Sequence, residues 1–272
     1  MKKDPLMDEK MILSPYRRKP GKVLVSGTIS AGVHYGFRNF TRPHLGFRLG
    51  LLWVFLDPLL RAMVFAFLMI VIRGSTSPES LVIGVFTLTS LNTPFSKSMN
   101  IRLSEEPFPL SHTPTITVII SKVISDVLTA VFLGFSAASI LIIVSEPPLF
   151  LVVALPLACC SLTLIGSGVG LILSPFIMAI KDLSKLIGYI LLLSFFLQCV
   201  IYPYSLTEGY HRMVLYWLPH TIAVEWCRSV ASGTSFPFTL EHSLVVFFLW
   251  SLPMMYGFLR FDHNRWRSTT WS

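Results

Sequence analysis

Charge is scarce in this chain of 272 residues. Asp, Glu, Lys and Arg make up 13% of it, whereas apolar residues make up 53% and the mean hydropathy is +0.67. So little polar surface cannot cover a soluble domain of this length. A hydrocarbon core about 30 Å thick requires roughly 20 helical residues, and several stretches reach that length with few or no charges. The sequence therefore predicts an integral membrane protein.

Motifs for catalysis and for nucleotide binding are also missing. The chain has no GxxxxGK[ST] loop, which excludes ATP binding by that mechanism, and no HExxH or other His spacing typical of a metal site. It has no Ser/His/Asp pattern and no paired acidic cluster, so we expect neither an enzyme nor a cofactor of its own. Internal repeats with broken helices, which are typical of ion-coupled carriers, are not evident. Any energy that the protein uses would then come from an ion gradient or from a partner.

The four cysteines show no framework of spacings. Cys159 and Cys160 are interpreted as small apolar filler. Cys199 and Cys227 fall near the predicted outer face, where a disulfide would be allowed, but their spacing does not specify one.

The expected fold is an all-α integral membrane protein with a six-helix transmembrane domain over residues 50–260. The predicted spans are about 50–72, 79–96, 116–144, 149–178, 186–202 and 244–259. The second span carries Thr87, Thr89, Asn92 and Thr93, so we expect it to face protein, because unpaired polar groups are costly in hydrocarbon. The long fourth span contains Pro156 and Pro175, which predict bends.

Basic residues orient these spans. Seventeen of the 22 Lys and Arg lie in segments that six spans would place on one face, so the positive-inside rule predicts both termini in the cytoplasm and a location in the cytoplasmic (inner) membrane. Residues 1–49 are predicted to be a basic tail without a cleavable signal, in which residues 23–40 form an amphipathic helix on the inner leaflet. Residues 261–272 are a second cytoplasmic tail. Anionic lipid accounts for the net charge of +8, so nucleic acid is not an expected partner.

Two pairs of opposite charge lie within predicted spans at a spacing of i, i+4. They are Asp57 with Arg61 and Lys122 with Asp126. Ionisable residues within spans mark either a buried pair that fixes helix packing or a pathway for substrate, and the spacing allows both. The GSGVG sequence at Gly166–Gly170 contains a GxxxG spacing, which allows close approach of helices.

The external segment from Tyr204 to Glu241 is the longest loop. It contains MVLYWLPHTIAVEW (Met213 to Trp226), which is apolar, interrupted by Pro219 and too short to cross. It predicts either a re-entrant hairpin, covered by protein or lining a cavity, or an interfacial aromatic anchor.

Three blocks of the sequence resemble a known family. RNFTRPHLGFRLGLLWVFLDPLLRAMVFAFL (Arg38 to Leu68) contains Leu-Gly-x-x-Trp-x-x-x-Asp-Pro, and KDLSKLIGYILLLSFFLQCVIYPYSL (Lys181 to Leu206) has a charged entry, an aromatic-rich helix and a Tyr-Pro exit. WLPHTIAVEWCRSV (Trp217 to Val230) aligns Pro219, Glu225 and Arg228 with an external Asn-Pro-x-x-x-x-x-Glu-x-x-Arg pattern, although Leu218 replaces the Asn. These blocks are similar to the membrane subunits of ATP-binding-cassette type-2 exporters for polysaccharides, and most similar to the capsular branch.

The resemblance implies a homodimeric permease that works with two copies of an ATP-binding subunit and moves a lipid-linked glycan outward. It places the contact with the ATPase in the loop between spans two and three, at Arg102, Glu105, Glu106 and Pro107. Candidate residues of the glycan path are Trp53, Phe55, Tyr189, Phe195 and Phe196, and those of an external gate are Trp217, Pro219, Glu225 and Arg228. The alternatives are an exporter of the same family for a drug or lipid, and a membrane scaffold without transport. The sequence does not specify the sugar, the lipid carrier or the gating order.

Overall fold

A computed structural model describes residues 25–41, 50, 52–53, 56–57, 59–60, 63–64, 67, 78–101, 115–145 and 148–269. Within these ranges the fold is helical and has no strand, as predicted. The helices are α1 (Val25–Thr41), α2 (Pro78–Met99), α3 (Thr115–Ser145), α4 (Leu151–Ala179), α5 (Lys181–Leu197), α6 (Gly209–Tyr216), α7 (Pro219–Ser232) and α8 (Leu240–Thr269), with one 3-10 turn at Tyr204–Leu206. Between α1 and α2, the described residues from Leu52 to Phe67 are helical.

Among the residues that the structure describes, three helices are long and apolar enough to cross a membrane. They are Ile116–Ile143 in α3, Leu151–Ile177 in α4 and Leu240–Arg260 in α8, which correspond to predicted spans three, four and six. The region of span two is helical over 22 residues but is more polar than these three. Helix α5 begins at Lys181 and ends at Leu197, so it starts and stops five residues before predicted span five. Most of predicted span one lies outside the described residues.

Helix α4 forms the centre of the bundle and contacts α2, α3, α7 and α8. It is continuous over 29 residues and includes both Pro156 and Pro175. Its buried face, from Leu151 to Leu162, forms one cluster with side chains of α2, α3 and α7, such as Phe86, Leu141 and Val224. The polar second span was predicted to face protein, and Thr87 and Ser90 of α2 are indeed buried.

Glycines set the close contacts of α4. A Cβ atom added to Gly166 or Gly170 would collide with the backbone oxygen of Leu91 or Phe95 in α2, and one added to Gly168 would collide with Met254 in α8. Helix backbones come this close only where small residues face each other. The GxxxG spacing of the GSGVG sequence therefore serves helix packing.

Helix α1 lies within the segment predicted to be an amphipathic helix and packs along the first half of α3. Gly32 lies against Ile120 and Gly36 lies against Ile124, and the amide of Asn39 donates a hydrogen bond to Ser121 Oγ at 3.0 Å. Because contacts advance by four residues on both helices, α1 and α3 run in the same direction.

Helices α6 and α7 form a hairpin, whose tip we define as Trp217 and Leu218. At the start of α7, His220 contacts Thr87 in the third turn of α2, and near its end Arg228 contacts Ser80 in the first turn. Helix α7 therefore runs antiparallel to α2. Seven helical residues rise about 10 Å, so the tip lies about that far along α2 from its first turn.

Candidate functional site

The described residues locate only part of the sequence-predicted site. Arg102, Glu105, Glu106 and Pro107, the predicted contact with an ATPase, lie outside the described residues, as do Phe55 and Arg61. Asp57 is exposed, and Trp53 is partly buried.

Three of the five residues predicted to line a glycan path lie on α5. Tyr189 and Phe196 are exposed on the outside of the bundle, whereas Phe195 is buried against Leu81 and Val85 of α2. In a single copy, Phe195 thus contributes to helix packing, while Tyr189 and Phe196 remain accessible to another molecule.

The predicted pair on span three forms an ion pair. Lys122 Nζ lies 2.7 Å from Asp126 Oδ2, and both side chains are largely buried. The Ser167 hydroxyl of α4 donates a second hydrogen bond to the same Asp126 oxygen, also at 2.7 Å. Because this contact links α3 to α4, the pair contributes to the packing of these two helices.

A second buried ion pair lies within the hairpin and was predicted as part of an external gate. Arg228 Nη1 donates a hydrogen bond to Glu225 Oε1 at 2.7 Å, and each side chain is only 9% exposed. The guanidinium also donates hydrogen bonds to the carbonyl oxygens of Tyr202 at 3.2 Å, Val200 at 2.9 Å and Ser80 at 3.2 Å. Arg228 therefore joins α7 to the segment after α5 and to the first turn of α2.

Glu225 extends this arrangement to the 3-10 turn, because its Oε1 also accepts a hydrogen bond from the Tyr204 backbone N–H at 3.1 Å. We call Glu225 and Arg228, with the backbone groups that they bind, the hairpin clamp. Local sequence explains its position. Leu218 is extended, Pro219 occupies the first turn of α7, and Gly233 ends the helix in the left-handed conformation. The helix thus holds the two charges at i, i+3, on one face.

The first turn of α7 carries a buried histidine. Thr87 Oγ1 donates its hydrogen bond to the Ile83 carbonyl at 2.7 Å, so at 3.3 Å it accepts one from His220 Nε2. His220 Nδ1 is then a buried acceptor with no partner among the described residues. The His220 side chain is enclosed by protein and is only 1% exposed.

Aromatic side chains surround the outer part of the hairpin. The rings of Tyr216 and His242 stack with centroids 3.7 Å apart, and Phe238 packs between them and Tyr204. His242 Nε2 donates a hydrogen bond to the Tyr216 carbonyl at 2.9 Å. These contacts fix α6 against the first turn of α8.

Of the other two residues of the predicted gate, Trp217 lies at the hairpin tip and Pro219 begins α7. The Trp217 carbonyl accepts a hydrogen bond from Trp250 Nε1 of α8 at 2.9 Å, and its side chain is partly exposed. Pro219 is buried. All four predicted gate residues therefore belong to one hairpin, but only Glu225 and Arg228 are in contact.

Sequence reasoning missed the partners of these charges. Ser167, Ser80 and Val200 were not singled out, because a serine or a backbone carbonyl carries no motif. His220 was also missed, although its position next to Pro219 in an apolar segment was a signal. All four cysteines, each of them within the described ranges, are free thiols, so Cys199 and Cys227 form no disulfide.

Comparison with known proteins gives no relative. No protein-family model matches the chain, and a search of curated protein sequences finds no match.

Proposed function

We propose that this chain is the permease subunit of an ATP-binding-cassette exporter that moves a polysaccharide or a lipid-linked glycan outward across the cytoplasmic membrane. A separate ATP-binding subunit, present in two copies, hydrolyses the ATP, and two copies of the permease line the path. The proposal includes six spans, cytoplasmic termini and a re-entrant hairpin before the last helix.

The observation that carries this proposal is the hairpin clamp. In the exporter family that the sequence resembles, a Pro-x-x-x-x-x-Glu-x-x-Arg pattern marks the external segment before the last span. Here Pro219 begins α7, and Glu225 and Arg228 hold α7 to the first turn of α2 and to the segment after α5. Residues picked out by the resemblance are thus those that hold the hairpin between neighbouring helices, which is the arrangement expected of a gate over an exit path.

The depth of the tip supports the re-entrant placement. The Trp217 carbonyl accepts a hydrogen bond from Trp250 in the third turn of α8, and α8 is largely apolar from Leu244 onward. Non-helical backbone at membrane depth is stable only where protein covers it, and the tip carbonyl of Trp217 finds its donor in α8. The hairpin can therefore lie within the outer half of the membrane without stranding that group.

Helix α2 connects the predicted contact with the ATPase to the hairpin clamp, and it would therefore transmit movement from the ATPase to the gate. The predicted contact with the ATPase directly follows α2, while the other end of α2 accepts a hydrogen bond from Arg228 at Ser80. A helix transmits a push along its axis, so movement of the ATPase subunits would shift the clamp.

Co-purification tests the proposal. The tagged chain would be expressed with the ATP-binding subunit encoded nearest to it, and ATPase activity of the isolated complex would be measured in lipid. We expect a complex of two permeases and two ATPases, whose assembly and activity fall at least several-fold in the Glu105→Ala/Glu106→Ala variant.

The matched control is Glu208→Ala/Glu241→Ala. It removes the same charge from two exposed residues at the opposite predicted face, so it should leave the complex intact. Equal losses in both variants, or the absence of any ATPase complex, would contradict the proposal and favour a membrane scaffold. A complex stimulated by drugs or lipids, and not by glycan, would favour the other cargo.

A further inference from the structure

Helix α6 has two faces of different character. Leu215 is buried, whereas Tyr210, Met213 and Val214 recur at i, i+3 and i+4 and therefore share the opposite face. Trp217, directly after the helix, continues this row at i+7, although its ring also contacts the rings of Tyr216 and His242. We call these four residues the outer stripe: Tyr210 is 91% exposed, Met213 65%, Val214 60% and Trp217 43%. The exposure of these large side chains requires an explanation, since contiguous apolar surface generally marks a contact with another molecule or a membrane.

The core face of α6 fixes its orientation. The Arg212 guanidinium lies 5.2 Å from the centroid of the Tyr204 ring, and the Tyr216 ring stacks on His242. Both contacts lie on the side of Leu215, so α6 cannot rotate to bury the outer stripe without losing them.

The position of α6 along the bundle indicates what covers the stripe. Its start lies beside the end of α5, where His211 Nε2 bonds to the Leu197 carbonyl at 2.7 Å, and its end leads to the tip, where Trp217 bonds to Trp250. An eight-residue helix rises about 12 Å, which matches the depth of about 10 Å between the tip and the first turn of α2. The stripe therefore lies level with the first turns of α8, a helix that is apolar enough to cross a membrane.

The exposed surface of α8 is apolar like the outer stripe. Leu244, Phe248 and Leu252 face outward from that helix, and a spanning helix presents such side chains to lipid. Tyr and Trp are the residues enriched at the interface between membrane and water. Within α6 the charged and titratable residues are Arg212 and His211, with no acid, so nothing in this helix repels phosphate headgroups.

We propose that the outer stripe of α6 contacts lipid of the outer leaflet, with Tyr210 near the headgroups and Trp217 deeper among the upper acyl chains. The hairpin would then have a protein side, held by the hairpin clamp, and a lipid side, formed by the stripe. This inference rests on the proposed placement of the hairpin in the membrane, but it does not depend on an ATPase or on the cargo.

Fluorescence quenching by lipid tests the inference on the full chain. Tyr210→Cys, Met213→Cys and Val214→Cys variants would be labelled with an environment-sensitive maleimide and placed in phosphatidylcholine bilayers with bromine near the top of one acyl chain. Glu208→Cys and Ser235→Cys, which replace exposed polar residues of the same external segment, are matched controls, and the unmutated chain corrects for its own cysteines. We expect the stripe labels to emit at shorter wavelength and to be quenched by lipid at least about twofold more than the controls.

Two other outcomes would overturn the inference. If the stripe labels are quenched by aqueous iodide as strongly as the Glu208→Cys label, the stripe faces water or an aqueous path. If neither quencher reaches them and Met213→Cys crosslinks between chains, a second copy covers the stripe. All three stripe substitutions are at exposed positions, so folding is not at risk, and the result can be read even if no ATPase complex forms.

Discussion

At the scale of single residues, Glu225 and Arg228 are both buried, and each charge is stable there only because the other compensates it. Bringing two charges out of water is costly, and the cost is repaid only if their remaining hydrogen bonds are satisfied. The hairpin clamp meets most of this condition. Arg228 Nη1 and Nη2 bond to Glu225 and to three carbonyl oxygens, while the buried Arg228 Nε has no partner among the described residues. Removing one partner would therefore cost more than removing the charge from both.

Arg228→Met should destabilise the protein strongly. The substitution leaves the Glu225 carboxylate buried without its cation, for which about 3 to 5 kcal/mol is typical. In the double variant Glu225→Gln/Arg228→Met no charge remains, and the Gln carbonyl can still accept the Tyr204 N–H. We expect the double variant to recover part of the loss, as measured by thermal unfolding in detergent with a thiol-reactive dye that reports exposure of buried Cys199 and Cys227.

The comparison between the two variants separates a charge effect from lost packing. If Arg228→Met and the double variant melt at the same reduced temperature, packing around the Met side chain is responsible. If Arg228→Met melts like the unmutated chain, the pair does not hold the hairpin.

At the scale of helices, packing depends on where glycines meet backbone. A Cβ atom on Gly134 of α3 would collide with the backbone of Leu155 and Pro156 in α4, whereas a Cβ atom on Gly188 of α5 would meet nothing within 4 Å. Backbone atoms cannot turn away as a flexible side chain does, so the helices themselves would have to separate.

Gly134→Ala should lower the melting temperature, and Gly188→Ala should not. Overpacking a tight contact costs about 1 to 3 kcal/mol, while Ala in an open helical position gains up to about 1 kcal/mol over Gly. The two variants make the same chemical change in two helices, so each is the control for the other in one thermal unfolding series. An equal response would mean that α3 and α4 do not approach as closely as described.

The same helices show what sequence patterns predict and what they do not. Hydropathy located α3, α4 and α8, because each is apolar over a length that can cross a membrane, whether its side chains pack against other helices, as in α4, or lie exposed, as in α8. It misplaced α5, because the polar first turn from Lys181 to Ser184 lowers the apolar score without interrupting the helix, and Asp182 suits a helix start. Hydropathy reports how apolar the side chains of a segment are, but it does not mark the residues at which the helix begins and ends.

The site was predictable to the extent that it rests on spacing. The pair Lys122–Asp126 could be recognised because residues four apart share a helix face, whereas Glu225 and Arg228 were picked out only by the resemblance. The spacing of Gly32 and Gly36 in α1 carried the same kind of signal but was overlooked. Contacts such as that of Arg228 with the Ser80 carbonyl, 148 residues away, follow from tertiary packing and leave no local pattern.

At the scale of the whole molecule, α5 leaves much of its surface exposed in the described bundle. Tyr189, Ile190, Leu193 and Phe196 are all exposed, and α5 makes few contacts with its neighbours apart from α2 and α4. Lipid could cover such a face, but a path for a glycan needs aromatic side chains that face an enclosed space. In the proposed dimer a second copy would close the other side of the glycan path. The exposed rings of α5 would then line that path, which they could not do if they faced lipid.

This difference can be tested by crosslinking in native membranes. Tyr189→Cys should form a disulfide between two chains on mild oxidation, because a dimer that lines its path with α5 brings the two copies of this helix near one axis. Phe248→Cys, which replaces an aromatic residue of equal exposure on α8, should remain monomeric. The native thiols provide little background, since Cys159, Cys199 and Cys227 are buried. Crosslinking at Phe248→Cys instead would place the interface on α8, and crosslinking at neither position would leave α5 facing lipid and remove the dimeric path.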